Sequence, residues 1–222
     1  MSAGKGLGLE IDWIDEIGST HLWLCDAVKS GEITPPYAVS AERQTGGIGS
    51  RGNRWDGKAG NLFLSFCLDI DTLPSDLPRQ SMSIYFSYLM KETLAELGSE
   101  VWLKWPNDFY IADKKAGGTI TAVLRHDIVI CSLGLNLVEA PPEYATIDIK
   151  VDKKDLLEAF FLKIKRHFFW KDIFIKYKVE FFLSTRYQYF DTAAQKKLHL
   201  KDAVLQNDGS ILIENRKVYS LR

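Results

Sequence analysis

"TGGIGSRGNRW", Thr45 to Trp55, carries the pattern G-x-G-x-x-G in Gly47, Gly49 and Gly52, and what flanks it decides the fold. A dinucleotide-binding loop of this kind runs from a strand into a helix, whose amino terminus meets the pyrophosphate. Here "YAVSAE" (37–42) reads as the strand leading in and "NLFLSFCLDI" (61–70) as the strand leading out. The glycines therefore join strand to strand, and the Rossmann reading fails. A protein-kinase glycine loop does join two strands, but the chain has no HRD or DFG segment. Two readings stay open: a plain tight turn, or a phosphate cradle of another kind. Arg51, Arg54 and Trp55 lean toward the second, since cationic donors and a flat aromatic suit a nucleotide's phosphates and base.

Working outward, Ser19-Thr20 caps a helix over "HLWLCDAVKSG", apolar at Leu22, Leu24 and Ala27 and stopped near Gly31. A second amphipathic helix is expected over 79–98. Short strands follow in 101–105, 108–112, 118–126 and 128–138, broken at Pro106-Asn107-Asp108, at Lys114 to Gly118 and at His126-Asp127. One long helix is expected from Asp152 to Lys178, with Leu156, Phe160, Phe161, Ile164 and Phe168 as its core stripe. Past Phe190, Asn207-Asp208-Gly209 marks a hairpin between two apolar runs. Segregated helices and a mixed, mostly antiparallel sheet make the fold α+β, with 1–189 as the catalytic body and 190–222 as a small β domain.

The whole chain narrows the function. Its 222 residues, 46% of them hydrophobic, suffice for one ordinary core and a small appendage. A formal charge of −1 without a long basic run argues against DNA as a main partner. Cys25, Cys67 and Cys131 are odd in number and lack CxxC spacing, so neither a disulfide framework nor a zinc knuckle is expected, and a reducing cytoplasm fits. No stretch approaches a membrane span of about 20 apolar residues, and the start lacks a signal core.

A second stretch, "KWPNDFYIADKKAGG" (104–118), is either an ordinary Pro-Asn-Asp turn with surface lysines or a site for triphosphate chemistry. In the latter, Lys104 and Lys115 neutralise phosphoryl oxygens while Asn107 and Asp108 hold a hydrated Mg²⁺.

Taken together, Gly18-Ser19-Thr20, Gln44 with the glycine loop and Trp55, Lys104-Trp-Pro-Asn-Asp108, Lys115-x-x-Gly118 and Gly134-x-Asn136 closely resemble the biotin-protein ligases. The resemblance implies a class II synthetase-like catalytic domain closed by a shortened SH3-like β appendage. It implies biotin and MgATP as substrates, no permanently bound cofactor, a biotinyl-5'-AMP intermediate, and transfer of biotin to one lysine of the biotin carboxyl carrier protein of acetyl-CoA carboxylase or a similar carboxylase. On it, Ser19, Thr20, His21 and Gln44 line the biotin site with Gly47, Ile48, Gly49, Ser50 and Gly118. Lys115 bridges the biotin carboxylate and the α-phosphoryl oxygen, with Arg51 and Lys104 as further catalytic cations. Arg54, Trp55, Asn107, Asp108 and Asn136 organise the nucleotide, and Asp108 is the candidate Mg²⁺ ligand. Read alone, Trp55 could instead be a core aromatic, and Gly134 and Asn136 a strand-end turn.

The chain departs from the family pattern at Ile48 and Ser50, where arginines are common, and at His21, where Asn is usual. A more loosely held adenylate is expected in consequence. Some members carry an amino-terminal helix-turn-helix and repress biotin synthesis genes; with Ser-Thr reached by Ser19, a ligase that is not a DNA-binding repressor is expected. Pairing through sheet edges into a homodimer is implied as an option. The competing functions are a lipoate or octanoate ligase or transferase, and a catalytically weak biotin-binding module.

Overall fold

The structure, a computed structural model, describes residues 9–49, 55, 57–191 and 195–219. The chain opens with β1 (Ile11–Ile17), α1 (Thr20–Ser30) and β2 (Tyr37–Gln44), and after the glycine segment continues into β3 (Leu62–Asp69) and α2 (Met82–Glu96). Four strands follow: β4 (Trp102–Lys104), β5 (Asp108–Ile111), β6 (Lys114–Leu124) and β7 (Ile128–Leu135). Helices α3 (Lys153–Lys165) and α4 (Trp170–Ser184) precede a tail of β8 (Gln188–Asp191), β9 (Lys196–His199), β10 (Val204–Leu205), β11 (Ile211–Ile213) and β12 (Arg216–Val218).

Seven strands form one sheet in the order β1-β2-β3-β7-β6-β5-β4. β1 runs parallel to β2 and the other pairings are antiparallel. The middle strand explains the layering. In "LFLSFCL" every residue from Leu62 to Leu68 is buried, as a strand covered on both faces requires. Leu62, Leu64, Phe66 and Leu68 point into the main core with α2 and α3, where Phe66 meets Phe86 and Phe161 edge to face at centroid distances of 5.2 and 5.4 Å. Cys67 turns the other way and packs with Leu24, Cys25 and Val28 of α1. That single helix covers only one end of its face, leaving the stretch around Phe63 and Ser65 for the site described below.

The Ser19 side chain accepts a hydrogen bond from the Leu22 amide and Gly31 closes α1 at φ +83°. The Asn207–Gly209 hairpin also forms, with Gly209 at φ +73° and the Gln206 amide donating to the Ser210 carbonyl at 2.8 Å. It docks on the body: the indoles of Trp105 and Trp170 donate to the Gly209 and Asn207 carbonyls, each at 2.9 Å. Leu198, Leu200, Ile211 and Ile213 join the main core.

Three local expectations need correction. The helix expected over 152–178 is two helices, broken between Lys165 and Trp170, with His167 at φ +50°. Asp76, from a distant segment, accepts the amides of Trp170 and Lys171 at 2.9 and 3.0 Å and so starts α4 afresh. Phe168, assigned to the core stripe, falls in the break and is exposed. The break expected at Lys114 to Gly118 is strand, because the chain already turns at Ala112 (φ +49°) and Asp113. Gly117 serves close packing there: a Cβ on it would lie 2.6 Å from the Gly134 carbonyl oxygen. Finally, β1 escaped notice because Ile11, Ile14 and Ile17 recur every third residue instead of alternating. Among the described residues no helix is long and apolar enough to cross a membrane.

Candidate active site

The open part of the α1 face is a pocket of about 480 Å³. α1 brings Ser19, Thr20 and His21 to it, the end of β2 brings Gln44, and β6 and β7 bring Gly118, Ser132 and Gly134. Their polar atoms join into a chain. Gln44 Oε1 accepts from the Thr20 amide at 2.8 Å and from the Thr20 hydroxyl at 3.1 Å. The Ser65 hydroxyl donates to Thr20 Oγ1 at 2.9 Å and lies 2.7 Å from Ser132 Oγ. Ser132 Oγ is 2.8 Å from His21 Nδ1, and His21 Nε2 is 3.6 Å from Cys25 Sγ. Burial, and secondarily the Lys29 charge, lower the His21 pKa, while burial raises that of Cys25. The imidazole is therefore neutral and the thiol protonated near neutral pH.

A different chemistry stands on the same pocket wall. Lys115 Nζ lies 2.7 Å from Asp108 Oδ1, with both side chains about a quarter exposed, and 5.8 Å from the centroid of the Trp55 ring. Gly118 lets the pair approach: a Cβ there would lie 3.3 Å from Asp108 Oδ1 and 3.5 Å from Lys115 Nζ. Trp55 is held by its amide donating to the Gly47 carbonyl at 2.9 Å, and its ring rests on Gly134, where a Cβ would meet three ring atoms at 3.0 to 3.2 Å. Its Nε1 is buried without a partner among the described residues. Trp55 and Gln44 also border a second, larger cavity of about 1180 Å³, which reaches Asn136, Lys58 and Tyr144.

The structure thus brings Ser19, Thr20, His21, Gln44, Ile48, Gly49, Trp55, Asp108, Lys115 and Gly118 to one pocket, and Asn136 to its neighbour. Asn136 also braces a loop, its Nδ2 donating to the Ala145 carbonyl at 3.0 Å. Three residues sit outside both linings. Gly47 pairs with Trp55 behind the wall; Asn107 donates to the Thr119 carbonyl and locks the turn onto β6; Lys104 lies over the rings of Tyr110 and Tyr187 at 5.4 and 5.6 Å. Ser50, Arg51 and Arg54 lie outside the described residues. Sequence reading missed Phe63, Ser65 and Ser132. Their one signal is a lone serine inside each of two apolar strands, "LFLSFCL" and "IVICSLGL", a place where a hydroxyl needs a partner.

Known proteins share this fold. A biotin acetyl coenzyme A carboxylase synthetase from Helicobacter pylori, solved with bound biotinylated ATP, is 36% identical with a TM-score of 0.89, covering 95% of this chain and 99% of that one. A biotin protein ligase from Aquifex aeolicus, solved with biotin and ATP, shares the fold at 23% identity and a TM-score of 0.73, with 96% of each chain covered. The bifunctional ligase/repressor BirA of Salmonella typhimurium is 36% identical over 106 residues, 47% of this chain and 32% of its own length, so the match spans about a third of that relative. The Biotin/lipoate A/B protein ligase family matches residues 13–136, more than half of the chain, and the protein belongs to that family.

Proposed function

We infer that the protein is a biotin-protein ligase, which uses ATP to join biotin to a lysine of a biotin carboxyl carrier protein through biotinyl-5'-AMP. One observation carries the reading: a single pocket holds a chain of hydroxyl and amide groups together with an ammonium–carboxylate pair, and adjoins a larger chamber across Gln44 and Trp55. A cyclic urea bearing a carboxylate tail matches the first two, and a nucleotide the third.

In this reading Ser19, Thr20 and Gln44 hold the ureido ring beside Gly118, Ile48 and Gly49. A biotin carboxylate oxygen attacks the α-phosphorus of ATP, forming the acyl phosphate bond as pyrophosphate leaves. The lysine amine of the carrier then attacks the acyl carbon and AMP leaves. The first step drives negative charges together, and at an effective dielectric near 20 a cation about 4 Å away offsets roughly 4 kcal/mol. Lys115 is the cation for it, exchanging Asp108 for the reacting oxygens. Trp55 walls the adenylate, and Asn136 faces the nucleotide side. Lys104 and Asn107 act from the turn that carries Asp108. Arg51, Arg54 and Ser50 keep the nucleotide and biotin roles their place in the glycine loop implies.

Mg²⁺ enters as part of the MgATP substrate. Of the residues lining the first pocket, Asp108 is the carboxylate, and among the described residues no cluster of three or more His, Cys, Asp or Glu could hold an ion. That suits an ion carried by phosphates and waters with one carboxylate contact. Three unpaired, buried cysteines suit a reducing cytoplasm, the net charge of −1 suits a protein that does not bind DNA, and the sheet edges, β1 and β4, are where a homodimer would pair.

The test is transfer: purified protein with biotin, MgATP and a carrier-domain fragment, followed by avidin blot and intact mass. Labelling that requires both small substrates is expected. Labelling with lipoate or octanoate in place of biotin would move the substrate to the other branch of the family. Neither transfer nor biotin-dependent exchange of pyrophosphate into ATP, in folded protein, would leave a binding module.

A further inference from the structure

The five side-chain contacts of the pocket floor can be counted against the hydrogens available to make them. The contacts run Cys25–His21, His21–Ser132, Ser132–Ser65, Ser65–Thr20 and Thr20–Gln44. The hydrogens are one each from the Cys25 thiol, a neutral His21 ring and the hydroxyls of Ser132, Ser65 and Thr20. The Gln44 end is fixed, because the atom that accepts the Thr20 backbone amide at 2.8 Å must be the amide oxygen. Thr20 must then donate to Gln44, Ser65 to Thr20, and Ser132 to Ser65. Nothing remains for Ser132 to give His21, so the ring donates from Nδ1 and its bare Nε2 faces the thiol. The opposite tautomer leaves one pair of oxygens 2.7, 2.9 or 3.1 Å apart with no hydrogen between them.

This order has a consequence for the ligand. Every hydroxyl hydrogen of the chain is spent inside it, so Ser132 and Thr20, which line the pocket, offer a bound molecule lone pairs only. The amide group of Gln44 supplies donors from its Nε2. Ring N–H groups and a carbonyl meet such a floor; a dithiolane or an alkyl chain meets it with nothing.

We propose that His21 is a positioning residue that sets the donor–acceptor polarity of the pocket floor, by donating into Ser132 and holding the hydroxyl chain in one direction as far as Gln44. The proposal deepens the biotin reading and rests on it for the identity of the ligand. The hydrogen count by itself does not. His21 acts through Ser132 and Ser65, which is buried beneath the lining, and its N–H is what an amide at the same position could also provide.

Two measurements test it. Nitrogen-15 NMR of the His21 ring should find Nδ1 protonated and Nε2 bare; a proton on Nε2 would overturn the chain whatever the ligand is. Calorimetric titration of biotin into wild type, His21→Leu, Ser132→Ala and the double variant should show about tenfold weaker binding for each single change. The double variant should be no more than about twofold weaker than either, because the second cut falls on a chain already broken. His21→Asn, which restores an N–H, should recover most of the affinity. Unchanged binding in both single variants, a double loss equal to the product of the singles, or no rescue by Asn would overturn the proposal. Wild type that binds no biotin overturns the parent reading, and this ligand assignment with it, while the NMR result still decides the direction of the chain.

Discussion

The Lys115 ammonium sits 2.7 Å from the Asp108 carboxylate, on the wall shared by the pocket and the Trp55 ring. Both side chains keep solvent contact, so the pair contributes little to stability, and its value lies in holding a cation ready. Lys115→Ala should lower biotin-dependent adenylation by 10²-fold or more, the scale of one charge-stabilising donor, with a nearly unchanged thermal midpoint. Biotin-dependent pyrophosphate exchange measures it, and turnover within a factor of three of wild type would remove Lys115 from the chemistry.

Gly134 and Trp55 make a sharper steric case. A methyl group on Gly134 would stand 3.0 to 3.2 Å from three atoms of the indole, so the ring must shift toward the second cavity. Gly134→Ala should raise the KM for ATP about tenfold, since small misplacements of a binding wall are costly. Steady-state kinetics with varied ATP checks this; an unchanged KM would detach the ring from the nucleotide.

Ile48 lines the pocket where the resembling ligases commonly place an arginine. A charged hydrogen bond there is worth about 1.5–3 kcal/mol, or roughly 10- to 150-fold in affinity. Ile48→Arg is therefore expected to slow the release of labelled biotinyl-adenylate by at least tenfold. An off-rate equal to that of wild type would sink the idea that this side chain sets retention.

Asp76 and α4 yield a stability test. Its carboxylate receives the amides of Trp170 and Lys171, a capping arrangement supplied from elsewhere in the chain. Asp76→Ala should cost about 1 kcal/mol, with up to 2 in reach. Urea denaturation measures it, and a midpoint identical to wild type would show that solvent replaces the carboxylate without loss.

Asp208, at the tip of the tail hairpin, sets a pH dependence. Burial works to raise its pKa, but bonds from Lys217, Ser210 and Gln80 outweigh it and hold the carboxyl at about 2. The folded value lies below the unfolded one, so the contribution is full above about pH 4 and is lost as pH falls toward 2. Thermal midpoints of wild type and Asp208→Asn should thus differ at pH 6 and converge toward pH 2. A constant gap would refute the assignment.

How much of this was legible differs element by element. The cap at Ser19, the stop at Gly31 and the Asn207–Gly209 hairpin could be read because the residues that make each feature are neighbours in sequence. The break before α4 could not, because its cap, Asp76, lies 94 residues from Trp170. Lys115, Asp108 and Gln44 stood out because they belong to the motifs that carry the resemblance to the biotin-protein ligases. Ser65 and Ser132 did not, because serine in a strand is unremarkable until another serine is found 2.7 Å away. Lys104 was read from the Lys-Trp-Pro-Asn-Asp motif; strand pairing sets it opposite Asp108, with its ammonium over the rings of Tyr110 and Tyr187.

β3, buried on both faces and hydrogen-bonded to a strand on each side, carries Ser65, the hidden middle of the pocket floor. Core strands of this kind open mainly on global unfolding, so Leu62 to Leu68 should be among the last to exchange with deuterium. The middle of the floor is thereby set in a strand expected to be among the best protected, and its hydrogen-bond order is paid for once, when the chain folds, before any ligand arrives.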